Sequence, residues 1–179
     1  MIEELKVRDK YFNEEMFITK VNNIFIMLCT AIMNDDLDRV RHFISDRVES
    51  ICEIKLNNLN DNNLKQIYGE LNVKNSEISS VTIVDECARI EVILTSRFLD
   101  YRIDKTSSKK VSGNDIDRIE KKYALIFTKQ LSAHYSSVIT KCTFCGADLE
   151  VNNSGICPYC RGIFKAENYD WILNDIKEI

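Results

Sequence analysis

The 179 residues carry a net charge of −4, with 45% hydrophobic and 29% charged side chains. That length supports about one domain with its own buried core, of soluble globular composition. The negative balance excludes a general electrostatic attraction to nucleic acid or anionic lipid, the charged start MIEELKVRDK lacks the apolar core of a secretory signal, and the apolar run 24–33 is shorter than the roughly 20 residues a spanning helix needs.

Along the chain, Phe17, Val21, Ile24, Leu28 and Ala31 recur at three- and four-residue steps within 13–34, with Phe25 and Ile32 widening the stripe. This predicts a long helix with a broad buried face. Asn34, Asp35 and Asp36 interrupt it, and an Asp there can cap a next helix in which Leu37, Val40 and Ile44 keep helical spacing. Ser45 and Asp46 open another, predicted to bury Val48, Ile51, Cys52 and Leu59 and to end in the turn-forming run 57–63.

The period then changes from helical to alternating. Val81 and Ile83, a turn at Asp85 and Glu86, then Ala88, Ile90, Val92, Leu94 and Phe98 between polar partners predict two strands, the second running from Cys87 to about Ile103 and long enough to need a bulge. The charged segment 104–117 reads as an exposed loop. A third strand over 119–130 places Tyr123, Leu125 and Phe127 on one face, and a closing strand over 168–176 aligns Tyr169, Trp171 and Leu173. Helices first and antiparallel strands after is an α+β pattern, with helices packed on one face of a curved sheet.

Between the last two strands lies KCTFCGADLEVNNSGICPYCRG, residues 141–162, with Cys142, Cys145, Cys157 and Cys160 in two C-x2-C pairs. Each pair can form a knuckle, and four thiolates at about 2.3 Å satisfy tetrahedral zinc. Gly146 and Gly162 stand where the returning backbone favours positive φ, and Pro158 pre-sets the second knuckle. Ordinary thiols or two disulfides are the alternative, while a redox C-x-x-C would need only one pair. With four thiolates the shell is closed, so the expected cofactor is one structural zinc with no open catalytic position. His134 reads as a loop residue, and Cys29, Cys52 and Cys87 as free buried thiols; reduced cysteines point to the cytoplasm. The expected organisation is an α+β body over 1–140, a zinc-ribbon insertion over 141–162 and a closing strand over 163–179.

NDDLDRVRHFIS (34–45), KYALIFTKQ (122–130) and NYDWILNDIKEI (168–179) resemble the C-terminal domain of translocase of inner mitochondrial membrane subunit 44 and its bacterial relatives. That family has a cone-shaped fold similar to nuclear transport factor 2. Some bacterial relatives carry a zinc ribbon just before the final W-x-L strand, which matches the four cysteines followed by Trp171 and Leu173. The resemblance covers nearly the whole chain. It implies a non-enzymatic scaffold with an apolar pocket between helices and concave sheet, for which Phe17, Val92, Leu94, Tyr123, Leu125 and Trp171 are the candidate lining. Two departures matter: the mitochondrial protein has further N-terminal segments with membrane-recruiting helices, where only about a dozen residues precede the domain here, and its penultimate strand often has Trp where this chain has Tyr123. Membrane association and import partners are therefore carried over to no residue.

Three functional readings follow. A protein-interaction module comes first, on a closed metal site and no catalytic constellation. A binder of a small apolar ligand or lipid comes second, with an enzyme behind it, because cone folds host many chemistries. Enzymatic use needs an acid or base facing inward. Ala88, Ile90, Val92, Leu94 and Phe98 offer none, Arg89 and Glu91 fall on the other face, Tyr123 reads as a core residue and His42 as a surface one. Nucleic-acid binding is third and disfavoured, since Lys141 and Arg161 are offset by Asp148 and Glu150 and by the thiolates. Phe144 and Tyr159 are expected to pack the ribbon against itself or its host, and 105–110 to be a solvated loop. A protein partner is expected, while a membrane surface stays open with no residue to support it.

Overall fold

The computed structural model describes residues 2–131, 145–147, 157–161 and 170–179. Among these, three α-helices precede a four-stranded antiparallel sheet of order β1-β2-β3-β4, so consecutive strands are neighbours throughout. Helix α1 spans Ile2–Arg8, α2 Glu14–Asn34 and α3 Asp46–Asp61; β1 spans Leu64–Val84, β2 Cys87–Asp104, β3 Lys110–Gln130 and β4 Ile172–Glu178.

Helix α2 follows its apolar stripe. The Asn13 side chain accepts a hydrogen bond from the Met16 N–H at its start, and Asp35 closes it in the left-handed conformation at φ 56°. All seven stripe residues are buried against the sheet, where they meet Ala88, Ile90, Val92, Leu94 and Phe98 of β2 and Leu125 and Phe127 of β3. By length and composition α2 is apolar enough to cross a membrane; here its stripe builds the core.

The helix expected at 37–44 does not form. Leu37, Val40 and Ile44 are buried as their spacing suggested, but through a turn and a 3-10 segment, Arg41–Phe43. The reason is non-local: Ile44 is extended and bridges Leu173 of β4 in parallel, the Ser45 N–H donates to the Leu173 carbonyl at 2.9 Å, and the Ser45 hydroxyl donates to the Asn174 carbonyl at 3.1 Å. The same hydroxyl accepts from the Val48 N–H and caps α3. That helix runs on through part of the asparagine-rich run and buries Leu56 with Val48, Cys52 and Leu59, leaving Ile51 exposed. His42, read as a surface residue, is 7% exposed and packs edge-on against Phe43.

The strands are longer than the alternation suggested. β1 begins at Leu64, directly after α3, and three register shifts, at Gly69/Asn72, Val73/Asn75 and Ile78/Ser80, each put one extra residue on β1 relative to β2. β3 begins at Lys110, so the expected loop over 104–117 shrinks to 105–109. There the Asp104 carboxylate accepts from the N–H groups of Thr106 and Ser107 and from the Ser107 hydroxyl. Bulges of this kind bend and twist a sheet, and these long strands curve around α2. Helix α1, for which the sequence analysis gives no element, buries Leu5 and is followed by Asp9, whose buried carboxylate pairs with Lys129 of β3 at 2.6 Å.

Candidate metal centre and cone cavity

The cysteine stretch connects β3 to β4, as an insertion ahead of the closing strand. Cys142 lies outside the described residues, as do Phe144 and Gly162. Among those described, the sulfurs of Cys145, Cys157 and Cys160 all lie within 4.8 Å of one another, and Cys145 and Cys157 are 3.8 Å apart. Two thiolates bound to one tetrahedral metal at about 2.3 Å stand about 3.8 Å from each other, so the spacing fits shared coordination and is too long for a disulfide. Local backbone makes the convergence possible. Gly146 takes φ 71° directly after Cys145, Arg161 takes φ 59° after Cys160, and the Arg161 N–H donates to the Cys157 carbonyl at 2.9 Å, closing the second knuckle. Cys157 is buried, whereas Cys145 and Cys160 are exposed. The cluster could hold a metal ion, and an all-thiolate donor set suits soft or borderline metals. Tyr159 is 72% exposed, so it does not pack the knuckle against its host as expected.

The remaining thiols behave differently. Burial pushes Cys29 up to about 12 and Cys52 up to about 11, which keeps both neutral. Cys87, expected to be buried, is half-buried at the β1–β2 turn.

A cavity of about 350 Å³ opens where α2 and α3 stand over the far part of the sheet. Of the candidate lining residues, Tyr123 borders it, with its ring 5.0 Å from Phe25. Phe17, Val92, Leu94, Leu125 and Trp171 lie in the continuous core instead; Phe17 contacts Trp171 at 5.2 Å and Phe127 at 5.6 Å between ring centres. What sequence reasoning missed is the polar side of the cavity. Asp100 and Arg102 continue the inward alternation of β2 two and four residues past Phe98, Lys121 precedes Tyr123 by two on β3, and Lys55 follows Cys52 by three on α3. The signal was parity, available by extending the inner face beyond its apolar members.

These charges are unequally matched. Lys121 pairs with Asp100 and with Glu178, each at 3.2 Å, and Gln66, itself buried, donates to Asp100 at 2.8 Å. Lys55 donates to the Tyr68 hydroxyl at 2.6 Å and sits 5.3 Å from the centre of that ring. Burial holds its ammonium below the usual lysine value and pushes the phenols of Tyr68 and Tyr123 above theirs. Both tyrosines are therefore neutral near neutral pH.

A helical N-terminal third on a curved antiparallel meander, with a cysteine insertion before the last strand, is the architecture the sequence resemblance implies. The family model for the Tim44-like domain matches residues 1–137. The chain belongs to the Tim44-like domain family. No curated protein matches it. Tim44-like domains are in general non-enzymatic and mediate protein interactions. The match takes in the helices and the first three strands, and so all of the cavity apart from the contributions of β4, whereas the cysteine cluster lies beyond it.

Proposed function

We propose that the chain is a non-enzymatic interaction domain whose β3–β4 connection is braced by one structural zinc ion, held by Cys142, Cys145, Cys157 and Cys160. The observation that carries the reading is the convergence of three thiols within 4.8 Å of one another, two of them at the 3.8 Å spacing of shared tetrahedral coordination, on a stretch whose fourth cysteine, Cys142, completes the first C-x2-C pair. Bound zinc would supply a cross-link and no chemistry, since four thiolates leave it no open position. Tyr159, an exposed aromatic on the second knuckle, is the side chain such a brace would present to a protein partner. A reducing compartment, the cytoplasm, goes with this reading, because thiolates persist there.

Two measurements test it together. Elemental analysis of the purified chain is expected to give one zinc per chain. Affinity capture run in parallel with the native chain and a Tyr159→Ser variant is expected to enrich a protein that the variant loses while its circular dichroism is unchanged. Equal capture by both would refute the role of the knuckle, and zinc far below one per chain would refute the brace.

A further inference from the structure

The cavity beneath α3 holds more cations than its carboxylates can match. Asp100 and Glu178 are both engaged by Lys121, and Asp100 also accepts from Gln66. Lys55 has the Tyr68 hydroxyl as its hydrogen-bond partner, and Arg102 donates through Nε to the Gln66 side-chain oxygen at 3.3 Å. Among the described residues neither makes an ion pair. Asp100 acts on Lys55 only through space, and burial dominates over that attraction. In a chain of net charge −4, two cations without carboxylate partners at one opening mark a local site of the opposite sign. A half-buried ammonium without a counter-ion loses hydration that only an anion or several oxygen acceptors can replace.

The opposite wall is apolar. Phe25, Leu28 and Ile32 of α2 and Ile176 of β4 face the space, with Tyr123 among them. A convergent charged edge over an apolar floor is the usual form of a site that orients an amphipathic small molecule. At about 30 Å³ per non-hydrogen atom, the share a water takes in the liquid, about 350 Å³ admits roughly a dozen such atoms and no diacyl lipid.

We propose that this cavity binds a compact organic monoanion, a carboxylate on an apolar body of roughly a dozen non-hydrogen atoms, with Lys55 and Arg102 as its counter-charges and the α2 wall as the seat of its apolar part. The site depends neither on a metal nor on a protein partner. A Cys145→Ser/Cys160→Ser chain should therefore bind the anion as the native chain does, which separates the failure of this inference from the failure of the zinc brace.

Decanoate is the probe, titrated calorimetrically into the full chain, with decanol as its neutral counterpart. Saturable binding of one decanoate per chain is expected, with decanol weaker by about tenfold or more, the worth of one hydrogen bond to a charged group. Lys55→Met should weaken decanoate by about tenfold and Lys55→Arg by much less. Arg102→Leu, at an exposed position, decides the matter should Lys55→Met fail to fold. Decanol binding as tightly as decanoate, unchanged affinity in the folded variants, or no saturable binding up to about 1 mM would overturn the proposal. So would displacement of decanoate by phosphatidylglycerol vesicles that sediment with the chain, since the occupant would then be a lipid.

Discussion

Replacing Cys145 and Cys160 together by serine removes one thiol from each knuckle, and both side chains are exposed, so the perturbation acts through metal ligation and not through lost packing. No described residue of the cysteine stretch belongs to the continuous core, which runs from Leu5 through Phe127 and resumes at Trp171 and Leu173. The question is whether β4 stays docked. Freed of a cross-link, the connection between Gln130 and Ile172 closes as a loop of about forty residues instead of about twenty-five, which costs only about 0.4 kcal/mol in closure entropy. Against this stand burial of Trp171 and Leu173, about 1.5–3 kcal/mol each, the β3–β4 ladder, and the Ser45 bonds to Leu173 and Asn174. The zinc module itself would lose on the order of 10 kcal/mol of metal-linked folding. Urea unfolding of the body, followed by far-ultraviolet circular dichroism and by Trp171 emission, should therefore shift by less than about 1 kcal/mol while bound zinc disappears. Global unfolding, or a red-shifted Trp171 emission in the absence of denaturant, would refute the separation of insertion from body.

Ser45→Ala should destabilise by about 1–2 kcal/mol, because one hydroxyl caps α3 and also ties it to β4, and the loss should appear as a lower urea midpoint. Lys129→Met removes the ammonium 2.6 Å from the buried Asp9 carboxylate and should destabilise by up to about 3–5 kcal/mol, while Asp9→Asn combined with Lys129→Met should recover part of it, as thermal unfolding would register. The buried thiols of Cys29 and Cys52 should resist alkylation in the native protein far longer than in urea. Since their folded values lie above the free-thiol value of 9.0, the unfolded chain releases protons first; stability from these groups is full below that pH and falls as pH rises towards 11 for Cys52 and 12 for Cys29. Stability rising across that alkaline range in the native chain relative to a Cys29→Ala/Cys52→Ala variant would contradict the assignment.

Local signals were legible, and the failures have physical causes. Asn13, the stripe from Phe17 to Ile32 and the Ser45 cap specify their helices from within, so reading them needs no knowledge of distant partners. Ile44 fails because its partner, Leu173, is recruited from the other end of the chain. β1 hid for a different reason: each extra residue flips the side chains to the opposite face, so a strand with three of them shows no sustained alternation. The first part of β3, from Lys110 to Arg118, is almost wholly exposed and has no apolar face to betray it. The cysteine insertion was legible from spacing alone, whereas the charged edge of the cavity was assembled from α3, β2, β3 and β4 by the curvature of the sheet, a property no single segment encodes.

All three extra residues on the β1–β2 ladder fall on β1, which is an outer strand of the sheet. An outer strand offers unpaired backbone groups to any extended chain that comes near, and a flat one acts as a template for copies of itself. β1 has no more than six successive residues, Leu64 to Gly69, in unbroken register, with Lys65 inside that stretch and Lys74 and Glu77 placing charge along the rest. Two such edges brought together could not zip: each irregularity would force a mismatch that only a second bulge in the same place could absorb. At 21 residues β1 shares the greatest length among the described strands, and its kinks allow that length without making it a seed for fibrils.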